Sequence, residues 1–189
     1  MRKRIVCYGD SNTYGYDAAD WFGGRLRAEE RWVDLLGHAL DADVFNCGMN
    51  GRSVPRWPRS VEVDVALIAR YKPDLVLVML GTNDVLGDPD AERIAQSMRA
   101  FLLALRQKLP DCPVLLTAPP IVRGYGETAE EASMELPALY EALAEELGLA
   151  FTDSSTWQIA MGADGVHFSP RGHAIYAAKM AQRILALGI

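Results

Sequence analysis

The feature of this sequence that most constrains its fold is a set of short, continuous apolar runs. Six consecutive apolar residues, Leu75 to Leu80, follow the turn-forming pair Pro73-Asp74. Val114 to Ala118 and Ile5 to Tyr8 are two further runs of β-favouring residues. Continuous runs, in contrast to alternating apolar and polar residues, are typical of strands that are covered on both faces. The chain is therefore expected to contain a buried sheet.

Segments with helical periodicity separate these runs. In them apolar residues recur three or four positions apart, and charged residues occupy the opposite face. With two weaker strand candidates, the order becomes β-α-β-α-β-α-β-α-β-α, which predicts parallel strands joined by right-handed crossovers. We expect an α/β protein, a flavodoxin-like three-layer α/β/α sandwich with a five-stranded parallel sheet. The helical segments are 32–40, 61–68, 94–109, 136–147 and 175–187, and the weaker strands are 44–45 and 150–152.

Length and composition narrow the class of protein. The 189 residues suit one domain, 1–189, and 50% hydrophobic with 23% charged residues is an ordinary globular composition. A net charge of −6 argues against nucleic-acid and anionic-membrane partners, which require clustered Lys and Arg. Three cysteines cannot form a disulfide framework, and no signal peptide or run of about 18 apolar residues is visible. The expected location is the cytoplasm.

Polar blocks follow three of the predicted strands, and a fourth precedes the last helix. The first three are Gly9 to Asn12, Asn46 to Gly51 and Gly81 to Asp84, and the fourth is Asp164 to His167. Ligands of doubly wound sheets bind beyond the carboxyl ends of the strands. We therefore expect these distant segments to meet in one cleft.

The residue types in these blocks suit acyl transfer. Ser11 supplies a hydroxyl, which is a poor nucleophile until a base removes its proton. His167 is the candidate base, and Asp164 can accept a hydrogen bond from its Nδ1 and fix the tautomer. The backbone N–H groups of Ser11 and Gly51 and the side-chain amide of Asn83 are candidate donors to an oxyanion.

Taken together, the four blocks resemble those of the SGNH (GDSL-type) hydrolase superfamily, in the family's order and over nearly the whole chain. The start of the chain, the Arg31-Trp32 pair and the Asp-Gly-Val-His-Phe ending look most like bacterial arylesterases and acyltransferases. The resemblance implies a serine carboxylic ester hydrolase without metal or cofactor, which cleaves short-chain acyl or aryl esters through an acyl-enzyme. It also implies that an alcohol can replace water as acceptor, and it leaves a homo-oligomer open. The family's residues correspond to Ser11, Gly51, Asn83 and His167, with Asp164 completing the triad.

Other residues are expected to support or line this site. Asp10 and Asp84 are candidates for holding the loops of the nucleophile and the amide, and Arg52 for bracing the cleft. Asn12 stands where the family motif usually has Leu, a departure that bears on the substrate pocket and not on the catalytic groups. The full set is Asp10, Asn12, Arg52, Trp57, Asp84 and Val166.

Aromatic residues are candidates for the wall of the acyl pocket. Trp57, Trp21, Phe22 and Tyr14 fall in segments that follow the blocks, and packing in the core is an equal alternative for each. The short link after Asp84 leaves little room for a lid. We therefore expect a shallow, open cleft.

Four other functions can be compared with the serine esterase interpretation. A carbohydrate O-acetyl esterase would use the same machinery, whereas a metal-dependent phosphoesterase would need more His and Asp ligands than this chain offers. An inactive binding module on the same scaffold would not need the full set of catalytic groups. An α/β-hydrolase is disfavoured because no Gly-x-Ser-x-Gly sequence exists in the chain. His173, at the start of the last helix, is expected to pack on the sheet, the alternatives being a second base or a metal ligand.

Overall fold

The computed structural model describes residues 2–188, and at its centre lies a five-stranded parallel sheet. The strands lie side by side in the order β2-β1-β3-β4-β5. This is the flavodoxin order, in which the connection changes direction between β1 and β3. The predicted fold class is confirmed. The strands are β1 (Arg4–Gly9), β2 (Asp43–Gly48), β3 (Leu75–Met79), β4 (Val114–Ala118) and β5 (Ala150–Asp153).

Helices cover both faces of the sheet. One face packs against α3, α5 and α6, and the other packs against α2 and α7. Two short 3₁₀ turns, 28–30 and 154–157, complete the regular structure. The helices are α1 (Ser11–Tyr14), α2 (Trp32–Leu40), α3 (Pro58–Ala69), α4 (Thr82–Gly87), α5 (Ala91–Lys108), α6 (Glu127–Leu147) and α7 (Pro170–Leu187).

The middle strand β3 shows why its sequence is apolar without interruption. Leu75, Leu77 and Met79 belong to the core on the α2–α7 side, while Val76 and Val78 belong to the core beneath α3, α5 and α6. All five side chains are buried. Because successive side chains point to opposite faces, a strand between two helical layers must be apolar at every position.

The structure differs from the predicted elements chiefly in two short helices. The four-residue α1 and the six-residue α4 begin inside the first and third polar blocks, at Ser11 and Thr82. Neither is long enough to show an apolar period, so periodicity could not predict them. In addition, α6 begins at Glu127, nine residues before Leu136, the first residue of its predicted stripe.

None of the helices within residues 2–188 combines the length and the apolar character needed to cross a bilayer. The three cysteines, all within this described part of the chain, are free thiols.

Candidate active site

The serine of the first block lies at the start of α1, just beyond the end of strand β1. Asp10 precedes it and caps the helix, because its carboxylate accepts a hydrogen bond of 2.9 Å from the Asn12 N–H. Asp10 is fully buried, and burial raises the pKa of its carboxyl to about 6. Gly48 of β2 passes so close that a Cβ there would lie 2.1 Å from the Tyr14 nitrogen. The backbone around Ser11 is therefore held from both sides.

Ser11, His167 and Asp164 form one chain of hydrogen bonds, although Ser11 lies more than 150 residues from the other two in sequence. Ser11 Oγ is 2.9 Å from His167 Nε2, and His167 Nδ1 is 2.6 Å from an Asp164 carboxylate oxygen. These are the distances that proton transfer between a hydroxyl, an imidazole and a supporting carboxylate requires. The arrangement can activate the hydroxyl as a nucleophile.

The carboxylate of Asp164 is kept ionised by its own loop. Burial by itself would raise its pKa, but hydrogen bonds from the His167 ring and from the N–H groups of His167 and Val166 hold its pKa below the usual value. The two backbone N–H groups both donate to Oδ1 at 3.0 Å, leaving Oδ2 for the ring. One oxygen thus shapes the loop while the other orients the imidazole.

Three candidate oxyanion donors come from the ends of three neighbouring strands. Within residues 2–188 the N–H groups of Ser11 and Gly51 have no hydrogen-bond acceptor in the protein. Gly51 occupies the third position of a turn closed by the Arg52 N–H and the Met49 carbonyl, at a φ of +71° that favours glycine. Asn83 Nδ2 donates to the Arg52 carbonyl at 3.0 Å, which leaves its second hydrogen for another acceptor.

Arg52 braces the loop that carries Gly51. Its guanidinium donates to the carbonyls of Gly9 and Cys47, at the ends of β1 and β2, and lies 4.3 Å from the centre of the Tyr8 ring. The side chain is buried, and Asp64 lies 3.9 Å away. This agrees with the bracing role expected from the sequence.

Asp84 holds the other side of the same loop. Its buried carboxylate accepts from the Val54 N–H at 3.0 Å and pairs with the Arg56 guanidinium at 3.3 Å. Burial raises the pKa of Asp84, and the hydrogen bonds from Val54 and Arg56 oppose the rise. Because Asp84 directly follows Asn83, these contacts fix α4 against the segment that follows Gly51.

Asn12 is buried and points towards the backbone of the loop that carries His167. Its Oδ1 accepts from the Phe168 N–H at 2.8 Å, and its Nδ2 donates to the Val166 carbonyl at 3.0 Å. Its own carbonyl accepts from the Trp32 indole at 2.9 Å. The expectation that this position bears on the substrate pocket gives way to a structural link between two polar blocks, and Val166 belongs to the same link.

Three of the aromatic residues considered for the acyl pocket lie on the surface. Trp21 and Phe22 are 98% exposed at the tip of a hairpin, and Trp57 is 74% exposed. Core packing is therefore wrong for these three residues. Tyr14 is half-buried, with the Arg25 guanidinium 4.4 Å from the centre of its ring.

Two tyrosines that the sequence did not single out contact the catalytic loop. The Tyr16 ring lies 4.5 Å, centre to centre, from the His167 ring, and the Tyr125 hydroxyl donates to the Asp164 carbonyl at 2.7 Å. Both approach from other segments of the chain, and only the folded chain brings them to this loop. A tyrosine in a loop has no sequence pattern that marks it as part of a site.

The other two histidines lie apart from this arrangement. His173 is buried in the first turn of α7, where its Nδ1 accepts from the Trp32 N–H at 3.3 Å. Burial, with a smaller contribution from the positive charge of Arg31, lowers the pKa of His173 to about 4, so it packs as a neutral ring. His38 is exposed. In the described residues 2–188, no cluster of three or more His, Cys, Asp or Glu is placed to hold a metal ion.

The sequence matches the model of the GDSL-like lipase/acylhydrolase family over residues 7–175. It is also 30% identical to a GDSL lipase of Mycobacterium tuberculosis over 192 residues, which span 95% of this chain and 80% of the lipase. The match to the family model includes all four polar blocks. The resemblance drawn from those blocks is thereby confirmed.

Solved structures show the same architecture over the full length of the chain. The aryl esterase of Mycobacterium smegmatis superimposes with a TM-score of 0.83 at 26% identity, covering 98% of this chain and 99% of that one. A carbohydrate acetylesterase family member from Sinorhizobium meliloti gives a TM-score of 0.85 at 27% identity, covering 99% and 100%. The two neighbours are described as different kinds of esterase, and they share one fold.

Proposed function

Because the chain belongs to the GDSL-like lipase/acylhydrolase family, we propose that it is a serine esterase that cleaves short-chain acyl or aryl esters through an acyl-enzyme. The observation that carries the proposal is the hydrogen-bonded series Ser11–His167–Asp164, at 2.9 and 2.6 Å. Both structural neighbours are described as esterases, which supports the same reaction class.

The first half of the proposed reaction forms the acyl-enzyme. The Ser11 hydroxyl gives its proton to His167 Nε2 while its oxygen attacks the ester carbonyl. The N–H groups of Ser11 and Gly51 and the Asn83 amide stabilise the resulting oxyanion. As the intermediate collapses, the ester C–O bond breaks and the imidazolium returns its proton to the leaving alcohol.

The second half releases the acid. Water gives a proton to His167 as its oxygen attacks the acyl-enzyme carbonyl, and the returning proton restores the Ser11 hydroxyl. Throughout the cycle the ionised Asp164 stabilises the imidazolium and holds the ring. An alcohol that takes the place of water would yield a new ester, so acyl transfer is part of the same proposal.

A second candidate substrate class is the acetyl ester of a carbohydrate. The neighbour from Sinorhizobium meliloti is a carbohydrate acetylesterase family member. It matches 99% of this chain. The chemistry at Ser11 would be identical, since only the alcohol part of the ester changes. Comparing the rates for aryl acetates and for acetylated sugars would decide between the two classes.

Labelling with a fluorophosphonate tests the proposal most directly. We expect one equivalent of label, located at Ser11 by peptide mass spectrometry, and a parallel loss of nitrophenyl acetate hydrolysis. Ser11→Ala should bind no label and lose about 10⁴-fold or more in kcat. EDTA should leave the native rate unchanged, whereas a metal-dependent phosphoesterase would lose it. Labelling at another residue, or full activity in Ser11→Ala, would refute the serine mechanism.

Acyl chain length is the second measurement. The shallow, open cleft that the short link after Asp84 predicts should favour nitrophenyl acetate and butyrate over long-chain esters. Faster cleavage of the long chains would contradict the short-acyl proposal while leaving the serine mechanism in place.

A further inference from the structure

Asn12 links the turn that carries Ser11 to the loop that carries His167. It bonds to that loop on both sides of His167. Its two side-chain hydrogen bonds reach the residue before His167, through the Val166 carbonyl, and the residue after it, through the Phe168 N–H. Asn12 is also the immediate neighbour of Ser11. One side chain therefore relates the position of the hydroxyl to that of the ring.

Most other contacts of the loop do not involve α1, although the Tyr16 ring, just beyond α1, lies 4.5 Å from the His167 ring, centre to centre. The Asp164 carboxylate bonds within its own loop, Gly162 N–H donates to the His167 carbonyl at 2.6 Å, and Tyr125 approaches from another segment. Apart from the Ser11–His167 contact, the two bonds of Asn12 are the only side-chain hydrogen bonds between α1 and residues 164–168 in the described chain.

Asn12 is itself rigidly placed. It is 2% exposed, its N–H donates to the Asp10 carboxylate, and its carbonyl accepts from the Trp32 indole. The polar atoms of its backbone and its side-chain oxygen and nitrogen thus all have partners. A buried side chain with such fixed partners transmits position well, since any shift would leave a polar group unpaired.

We propose that Asn12 is a positioning residue that sets the distance and angle between the Ser11 hydroxyl and the His167 ring. The inference rests on the serine mechanism proposed above and assigns a task to the residue that departs from the usual Leu of the family motif. Apolar Leu cannot bond to the backbone at 166 and 168. In this chain the loop depends on the Asn12 amide for its register against the nucleophile.

The test is a double-mutant cycle between Asn12 and His167. Asn12→Leu, which keeps the branched shape of the side chain and removes both bonds, should lower kcat by about 10–100-fold, because small displacements of reacting groups cost about this much. The KM for nitrophenyl acetate should change less than about threefold, since Asn12 does not face the substrate. In a His167→Ala background the same substitution should have almost no further effect, because the ring it positions is gone.

Asn46 offers a matched control. It also makes two backbone hydrogen bonds: Nδ2 donates to the Thr13 carbonyl at 2.8 Å, which ties α1 to β2, and Oδ1 accepts from the Gly48 N–H at 3.0 Å within β2, so neither bond reaches the loop of the base. Asn46→Leu should therefore lower kcat by the same factor in the native and the His167→Ala backgrounds.

Leaving-group dependence gives an independent measure. A misplaced imidazolium donates its proton poorly, so Asn12→Leu should slow alkyl esters more than nitrophenyl esters, whose leaving group needs little protonation. Asn46→Leu should slow both kinds of ester alike.

The outcomes separate the inference from the function on which it rests. If the native protein is not labelled at Ser11, the serine mechanism fails. If it is labelled, but the loss of kcat in Asn12→Leu multiplies with the loss in His167→Ala, as expected for Asn46→Leu, the positioning role is overturned. Only a structural role then remains. Thermal unfolding of each variant shows whether it folds, and Asn12→Ala enters the same cycle if Asn12→Leu does not.

Discussion

The two halves of the site are held by different means. In the acid–base half, formed by Ser11, His167 and Asp164, the side chains bond to one another in series. In the oxyanion half, the donors from Gly51 and Asn83 do not bond to each other. They are set by neighbouring groups, among them the Arg52 carbonyl and the closed turn.

Each half is also backed by a buried carboxyl, and these two differ as well. Asp84, behind the oxyanion half, pairs with the Arg56 guanidinium at 3.3 Å. Asp10, behind the nucleophile, accepts the Asn12 N–H, and no salt bridge within the described chain includes it. The acid–base half is thus a coupled unit beside a carboxyl without a salt-bridge partner in the described chain, whereas the oxyanion half consists of separate donors beside a carboxyl paired with Arg56.

The largest expected effect comes from the acid–base half. Asp164→Asn should lower kcat by about 10³–10⁴-fold, because an amide cannot stabilise the imidazolium and favours the wrong ring tautomer. Single-turnover kinetics with nitrophenyl acetate measure this loss. If the series acts as one unit, adding His167→Ala should cost little more. A loss that multiplies fully would show that the two residues act independently.

A smaller effect is expected from the oxyanion half. Asn83→Ala should lower kcat by about 10²–10³-fold, since it removes one preorganised donor. Here the loss should persist in a His167→Ala background, because the amide stabilises charge on the substrate without the imidazole. Residual hydrolysis by the single and double variants provides the comparison. Equal residual rates would place Asn83 inside the coupled unit and break the distinction between the halves.

The smallest effect concerns stability and distinguishes the two supports. The pKa of Asp10 is about 6 in the folded chain and near 3.8 when unfolded, so its contribution to stability is present at low pH and is lost as the pH rises through about 6. Asp10→Asn removes this loss and should be more stable than the native chain at pH 8, by at most about 3 kcal/mol, with no difference near pH 4. Asp84→Asn should gain less stability at pH 8, since the hydrogen bonds from Val54 and Arg56 oppose the rise in the pKa of Asp84.

Urea unfolding at the two pH values measures both substitutions. A destabilised Asp10→Asn at pH 8 would mean that the ionised carboxylate caps α1 more strongly than its burial disfavours it. Equal behaviour of the two variants would remove the contrast between the supports.

Much of the site could be predicted because three polar blocks follow predicted strands and the fourth precedes the last helix. Ser11, Asn83, Asp164 and His167 stand out as polar groups where strands or turns end, and the parallel sheet brings those ends to one edge. The parallel direction of the strands follows from the alternation of strands and helices.

The supporting contacts could not be predicted in the same way. The Tyr16 ring contacts the His167 ring at a tilt, and Asn12 bonds to the backbone at 166 and 168, yet neither has a spacing that marks it. For Asn12 a signal was present, since a polar residue stands where the family motif usually has an apolar one. The sequence marked the departure, but it did not show what the amide would bond to.

By itself the sequence determined the fold class, the family and the types of chemical group that meet at the edge of the sheet, because periodicity and local blocks are properties of neighbouring residues. Only the tertiary structure decided which atoms face one another across more than 150 residues, such as the Asn12 amide and the loop of His167. The physical reason is that a hydrogen bond is sensitive to changes of a few tenths of an ångström in the distance between donor and acceptor. That distance is fixed by how the layers pack.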